Sequence, residues 1–376
     1  MRRSHRLTPA LVLLACLSIA LLGAGCGDDG SPTAPPAGAI WSHLLHGALT
    51  DGKSGAASPV LLDLSATDDA VSGVLMLRPG DLPLDGSHYT LTGRLTGDSL
   101  VLDNGVAPGT GLDLLLAGAI DGTGAVTAAF SSVHAGFQVR LDAAPLPEID
   151  VRVSRQQDIP YLAKACVHHG DKLWLSVIAP GGSFDDVALD SAWTAVDTVS
   201  VYLYPNTHWS GDVLARDDSL FYGNYPVTRE VDGVVRSVHD LVAFRDDGEI
   251  RRRIPLNHAV RGLAWRDGFL WTLNAGDGVL RRLSPEGAVL DSVTTDLPGG
   301  HGLAWNAGWW TQSWNEPLLL RIDTAGRLDG YVRLPGSAAG LNAGGVSAWR
   351  RQNRVVAGRA LPGGATVLVE IEPVSR

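Results

Sequence analysis

Short runs of alternating apolar and polar residues succeed one another along nearly the whole chain, with Gly, Asp, Asn or Pro between them. Tyr89 and Leu91 set against Thr90 and Thr92 are one example. A period of two puts apolar side chains on one face of a strand and polar ones on the other. Long helix-period segments are missing, so the pattern predicts an all-β protein. Between residues 39 and 146, strands are predicted at 60–64, 71–77, 89–95, 99–102, 112–120, 125–130 and 137–141. Tight turns such as Thr96-Gly97-Asp98 and Asp121-Gly122-Thr123-Gly124 make neighbours that run antiparallel. Seven or eight such strands predict a small up-and-down barrel or sandwich. The interior positions are aliphatic, which predicts a packed core in preference to a ligand cavity.

From residue 148 to 376 the same punctuation carries an internal repeat. Gly262-Leu263-Ala264-Trp265 returns forty residues later as Gly302-Leu303-Ala304-Trp305. Gly248, Gly287 and Gly326 close three matching turns at intervals of 39 residues. An apolar, usually aromatic pair marks the next strand of each unit: Leu173-Trp174, Leu220-Phe221, Leu270-Trp271, Trp309-Trp310 and Val355-Val356. About five units of roughly 40–45 residues, each with four short strands, predict a β-propeller of about five blades. The last unit lacks its outer strand, and the segment 149–153 is expected to supply it and close the ring. Residues 179–196 and 205–212 read as long loops capping one face.

The first forty residues break the pattern. Arg2, Arg3 and Arg6 precede an apolar run over 11–22 and the small residues Gly23, Ala24 and Gly25 before Cys26. A basic head, an apolar middle too short for the roughly 20 residues of a membrane span, and small residues at the end are signal-peptide features. The Gly-Ala-Gly-Cys junction resembles the bacterial lipobox, although Gly23 stands where that pattern usually has Leu. The resemblance implies removal of residues 1–25, a lipid on Cys26, and a place in the cell envelope, at the outer membrane or cell surface in preference to the inner membrane. Residues 26–38, rich in Gly, Ser, Pro and Ala, then form a flexible tether.

The repeat also resembles the propellers of glutaminyl cyclotransferases, streptogramin lyases and the wider NHL/SMP-30-like group. It does so through its Gly-Leu-Ala-Trp, Leu-Trp and Leu-x-Arg-Leu-x-Pro-x-Gly segments. The domain at 39–146, with Trp41 near its start and Val71-Ser72-Gly73 in one strand, resembles lipocalin-like or avidin-like barrels. These resemblances imply folds. Propellers of this kind serve many purposes, so a ligand- or protein-binding module is the expected role and a cyclotransferase or lyase the alternative.

Charge and chemistry narrow this a little. Without residues 1–25 the chain keeps 27 Lys and Arg against 40 acidic residues, a net −13, which argues against nucleic acid. Cys166 is then the only cysteine besides Cys26, so no internal disulfide is expected, and its apolar surroundings predict a core residue. No metal or cofactor motif is present, and His168 and His169 are adjacent and expected on opposite faces of a strand. The repeated tryptophans, Trp265, Trp271, Trp305 and Trp349, are expected to pack between sheets. Aligned at the start of each innermost strand are Lys164, Arg261 and His301, with Gly211 and Gly345 in the other two units. Three cationic groups around one channel mouth are a candidate site for an anionic small molecule, peptide or protein ligand. No acid–base pair for an enzyme can be assigned from Glu230, Asp240, Glu286 or Glu316.

Overall fold

The computed structural model describes residues 41–374, apart from 79–81, 85–86, 108–110, 179–183, 201, 205–206, 209–213, 232–233, 257, 259, 275, 314–315, 336–344, 350–352 and 362–364. Cys26, the segments on either side of it, and Gly211 lie outside the described residues.

Eight strands wind into a closed antiparallel barrel: Trp41–Thr50, Ala57–Thr67, Ala70–Leu77, His88–Thr96, Ser99–Asp103, Leu115–Ile120, Val126–Ser132 and Phe137–Pro145. Each pairs with its sequence neighbour, and the last returns to the first, with Thr50 opposite Arg140 and Leu45 opposite Pro145. Closure leaves no free sheet edge. Turn chemistry sets the register. Asp121 Oδ1, for instance, accepts the Thr123 and Ala125 amides at 2.8 and 3.0 Å, and Gly124 takes φ 83°. Leu62, Leu75, Leu91, Leu102, Leu116 and Phe130 are fully buried in the barrel interior, so the core is packed as the alternation predicted.

The propeller has five four-stranded antiparallel sheets. Their innermost strands are Leu162–His169, Leu214–Arg216, Gly262–Arg266, His301–Trp305 and Val346–Trp349, each packed beside the next around the ring. The ring closes through the strand Val151–Ile159, which pairs with Thr366–Pro373 as the outer strand of the last blade. The stretch at 179–196 is not a loop. It contains the third strand of the first blade, Phe184–Leu189, and leads into the fourth, Ala195–Val199. Two adjacent aspartates hid that strand, because Asp186 is buried against the sequence expectation for its type. Between the first and second blades, Tyr202–Tyr204 and Thr207–His208 pair as a small hairpin.

The 39-residue spacing of Gly248, Gly287 and Gly326 has a twofold cause. All three adopt left-handed φ, 84°, 90° and 89°, where a side chain is disfavoured. Each turn also presses on the preceding blade. A Cβ would stand 2.8 Å from Ser200 O at Gly248, 2.1 Å from Ile254 Cγ2 at Gly287 and 2.3 Å from Thr294 O at Gly326.

Barrel and propeller share a core. Leu44, Leu61 and Met76 on the outside of the barrel cluster with Leu297, Leu318 and Tyr331 of the propeller. Their sequence neighbours Leu45, Leu62 and Leu75 point into the barrel, so these strands bury both faces. That explains why Trp41–Thr50 shows no clean alternation and was not foreseen as a strand. Polar contacts frame the apolar patch. Arg78 Nη2 donates to the carbonyls of Thr295 and Leu297, both at 3.0 Å, and the amide of Ile149 donates to Tyr331 O at 2.7 Å.

Candidate functional site

The five inner strands run parallel to one another around the propeller axis, and their leading and trailing ends differ. Near the leading ends, backbones of neighbouring strands touch. A Cβ on Gly262 would lie 2.8 Å from Gly302 O, one on Gly302 2.6 Å from Val346 N, and one on Gly345 2.9 Å from Ala165 Cα. The Gly302 amide donates to Arg261 O at 2.6 Å across the same junction. Three of the five blade junctions are thus pinched at this level, which only glycine allows.

Toward the trailing ends the axis widens into a cavity of about 800 Å³. Its walls form three levels, one residue per blade in each. The deepest is Cys166, Leu214, Leu263, Leu303 and Val346, all buried. Above it lie Val167, Ala215, Ala264, Ala304 and Ser347. The third level, His168, Arg216, Trp265, Trp305 and Ala348, brings polar and aromatic groups to the rim. His169, Asp171 and Asp218 stand beside it.

The rim is ordered by contacts within the protein. Trp265 stacks on Tyr222 of the preceding blade, centroids 5.6 Å apart and planes 9° from parallel. Trp305 is capped by the Arg266 guanidinium at 3.3 Å and meets Trp309 edge-on at 4.8 Å. Trp271 also packs on Trp309, at 4.9 Å. These tryptophans do pack between blades, but Trp265 and Trp305 line the cavity as well. Arg216, with only 4% of its side chain exposed, donates to Asp246 Oδ1 at 2.6 Å and lies 4.0 Å over the Phe221 ring. His168 donates its amide to Ser347 Oγ at 2.8 Å and places Nδ1 3.2 Å from the same oxygen. Burial lowers the His168 pKa to about 4, so the ring is neutral at pH 7. His169 is shifted down as well, by burial first and then by the charge of Arg216. Burial pushes the Cys166 thiol up to about 12, which makes it inert, in keeping with a core residue.

Lys164, Arg261 and His301 stand at the other end. Lys164 lies two residues before the deepest level of the first blade, as Arg261 and His301 do in theirs. His301 is buried, whereas Lys164 and Arg261 are half-buried. Arg261 and His301 are neighbours through the Gly302 amide bond to Arg261 O. Gly345 aligns with Gly262 and Gly302, one residue further along than the repeat spacing implied. None of the three lines the cavity. Arg216 and Asp171 were missed in the sequence, because their blades carry the weakest copies of the repeat. The hairpin after each inner strand was the available signal, since it levels Arg216 with Trp265 and Trp305. Among the described residues no group of three or more His, Cys, Asp or Glu could hold a metal ion.

A second cavity of about 250 Å³ shares His168 and Asp171 with the first and opens between the last blade and the first. There Glu370 accepts from Arg354 Nη1 at 2.8 Å and from Ser154 Oγ at 2.5 Å, and Arg155 lies 4.3 Å over Trp193.

No protein-family model matches the chain, and no curated protein matches it in sequence. Among solved structures, a glutaminyl cyclase from Myxococcus xanthus is 16% identical, covering 61% of this chain and 100% of its own, with a TM-score of 0.45. A calcium-binding regucalcin from Agrobacterium tumefaciens strain C58 is 13% identical over 62% of this chain and 99% of its own, with a TM-score of 0.38. A luciferin-regenerating enzyme is 11% identical over 70% of this chain and 88% of its own, with a TM-score of 0.35. Similarity this low transfers no ligand or activity, and the functional reading rests on the residues of this chain.

Proposed function

We propose that the protein is an envelope lipoprotein, anchored through Cys26, whose propeller binds a small ligand in the axial cavity. One observation carries the binding role: the cavity is built from three residues of every blade, with His168, Arg216, Trp265 and Trp305 at its rim. Ligand sites are commonly clefts of this size. The signal-like segment and the tether support the anchored location. Binding an anion at Lys164, Arg261 and His301 is a second reading, supported by their common level at the leading ends of three inner strands.

The cyclotransferase or lyase alternative is not favoured. His168 at the rim is neutral down to about pH 4 and engaged with Ser347, a poor match for a base working near neutrality. A plug separates the binding readings. Ala348 occupies the level at which two other blades carry tryptophan, so Ala348→Trp fills the rim with a residue that this position accommodates elsewhere in the ring. In a thermal-shift screen of small metabolites, ligands that raise the wild-type Tm are expected to lose their effect in Ala348→Trp. If every such ligand keeps its full effect, the axial cavity is not the site. Loss of the effect in Arg261→Ala or His301→Ala instead would move the site to the leading end.

A further inference from the structure

Once the charges at the rim are paired off, what remains is negative. Arg216 is the only Lys or Arg among the described residues of the axial wall, and it is engaged within the protein. Its side chain is 4% exposed, packs over Phe221 and donates to Asp246, which also cancels its charge. His168 is neutral at pH 7, and burial together with Arg216 holds the His169 pKa down. Two further cations stand near without lining the cavity. Arg266 pairs with Asp267 at 2.8 Å, and Lys172 holds its Nζ 6.0 Å from the Trp174 ring.

Asp171 and Asp218 differ from all of these. Both line the cavity and both are exposed, on the connections that follow the inner strands of the first and second blades. Neither makes a hydrogen bond or ion pair among the described residues. Exposed acids on turns specify nothing by themselves, but here a buried carboxylate stands behind them. Asp171 also lines the side cavity of about 250 Å³, as does Glu370, whose side chain is 6% exposed. The hydrogen bonds from Ser154 and Arg354 both end on Glu370 Oε1, which leaves Oε2 for another donor. Asp190, on the same wall, uses Oδ1 for the amides of Ala192 and Thr194, both at 2.9 Å. Arg155 is held by the carbonyls of Ser191 and Ala192 and lies over Trp193.

Arg216 is thus paired with Asp246 and Arg354 with Glu370. Asp171, Asp190 and Asp218 have no ionic partner among the described residues, against Arg155 alone on the other side. A cleft with an excess of one charge and low-dielectric walls concentrates the field on what enters it. Across the ring from the acids, the third and fourth blades place half-buried Trp265 and Trp305 at the same rim. Carboxylates on one side and aromatic surface on the other suit an organic cation.

Given that the axial cavity is the binding site, we infer that its ligand carries an organic ammonium group. The cation sits toward Asp171, where the two cavities meet, with Asp218 and Glu370 Oε2 as further acceptors.

Isothermal titration of the full folded body with two matched pairs tests this: choline with its neutral isostere 3,3-dimethylbutan-1-ol, and hexylamine with hexan-1-ol. In at least one pair the cation is expected to bind at least tenfold more tightly than the alcohol. Added NaCl should weaken that cation more than its alcohol. Replacing both Asp171→Asn and Asp218→Asn, which alters only exposed side chains, should weaken the cation at least tenfold and leave the alcohol unchanged. Ala348→Trp should abolish cation binding. Alcohols that bind as tightly as their cations would overturn the ammonium assignment while leaving the cavity as the site. So would an unchanged cation affinity in the doubly substituted protein. A cation that keeps its preference and binds Ala348→Trp as well as wild type would instead sink the cavity reading. Failure of all four probes to bind would overturn the ammonium assignment, and the metabolite screen against Ala348→Trp would still decide the cavity.

Discussion

Arg333 of the propeller and Asp63 of the barrel form a two-pronged pair, with Nη1 to Oδ2 at 2.8 Å and Nη2 to Oδ1 at 2.5 Å. They are 270 residues apart in sequence, and both are largely enclosed, at 31% and 14% side-chain exposure. The fork geometry and the shared apolar core around Tyr331 make the barrel part of one folded body with the propeller. Arg333→Met leaves Asp63 charged and largely enclosed, which is expected to cost about 1–3 kcal/mol, below the range for fully buried pairs. Urea unfolding of Arg333→Met, Asp63→Leu and the double variant gives the coupling. A coupling near zero would show that this ion pair does not help to join the modules.

Stability against pH should carry two opposed slopes. Asp186 is buried, and its desolvation outweighs the opposing effect of Ser176 and raises its pKa to about 7. Its unfolded value is near 3.9, so the unfolded chain ionises first and stability falls as pH rises from about 4 to about 7. His168 runs the other way. Its folded pKa of about 4 lies below the unfolded value of about 6.5, so stability is lost as pH falls from about 6.5 toward 4. The two partly cancel in the wild type. Asp186→Asn should therefore become more stable relative to wild type as pH climbs from 4 to 7, and His168→Gln relatively more stable as pH drops through the same window. Parallel curves for wild type and Asp186→Asn would mean that the carboxyl is not desolvated.

The glycine constriction is sensitive to a single methyl. Gly302 has φ 73°, and a Cβ there would stand 2.6 Å from the Val346 amide nitrogen. Strain and overlap together predict that Gly302→Ala destabilises by at least about 2 kcal/mol. Gly299, which has open space around a built Cβ, is the control, and Gly299→Ala should change stability by less than about 0.5 kcal/mol. Equal midpoints for the two variants in chemical denaturation would refute the close approach.

Membrane attachment is tested at Cys26. Expressed in a bacterial host, the wild type should partition with the membrane fraction, and mass spectrometry should find an acylated cysteine at the mature N-terminus. Cys26→Ser should appear in the soluble fraction. An unmodified N-terminus at another residue would remove the lipid from the account.

Much of the architecture was legible in the chain. The blade count follows from the aromatic pairs and from Gly248, Gly287 and Gly326, and the closing strand from a last unit with three strands. Barrel strands such as Ser99–Asp103 and Val126–Ser132 could be read by alternation, because each has one buried face. Legibility failed where a strand deviated from that rule. Trp41–Thr50 buries both faces, and Phe184–Leu189 carries a buried aspartate, so neither resembled a strand. The site was harder still. The sequence drew attention to three cations at the leading ends, while the cavity opens at the trailing ends, where Arg216, on a blade with little repeat signal, is the one Lys or Arg among the described lining residues.

By itself, then, the sequence determined what depends on neighbours along the chain: strand periodicity, the turns that need left-handed glycine, and the number of repeats. Only the tertiary structure decided which end of the axis is pinched, which residues of five distant strands meet at one level, and how barrel and propeller join. Those outcomes depend on backbone approaches of a few ångströms between segments tens to hundreds of residues apart. Gly302 against Val346 and Asp63 against Arg333 are such approaches, and no local pattern encodes the distance between them.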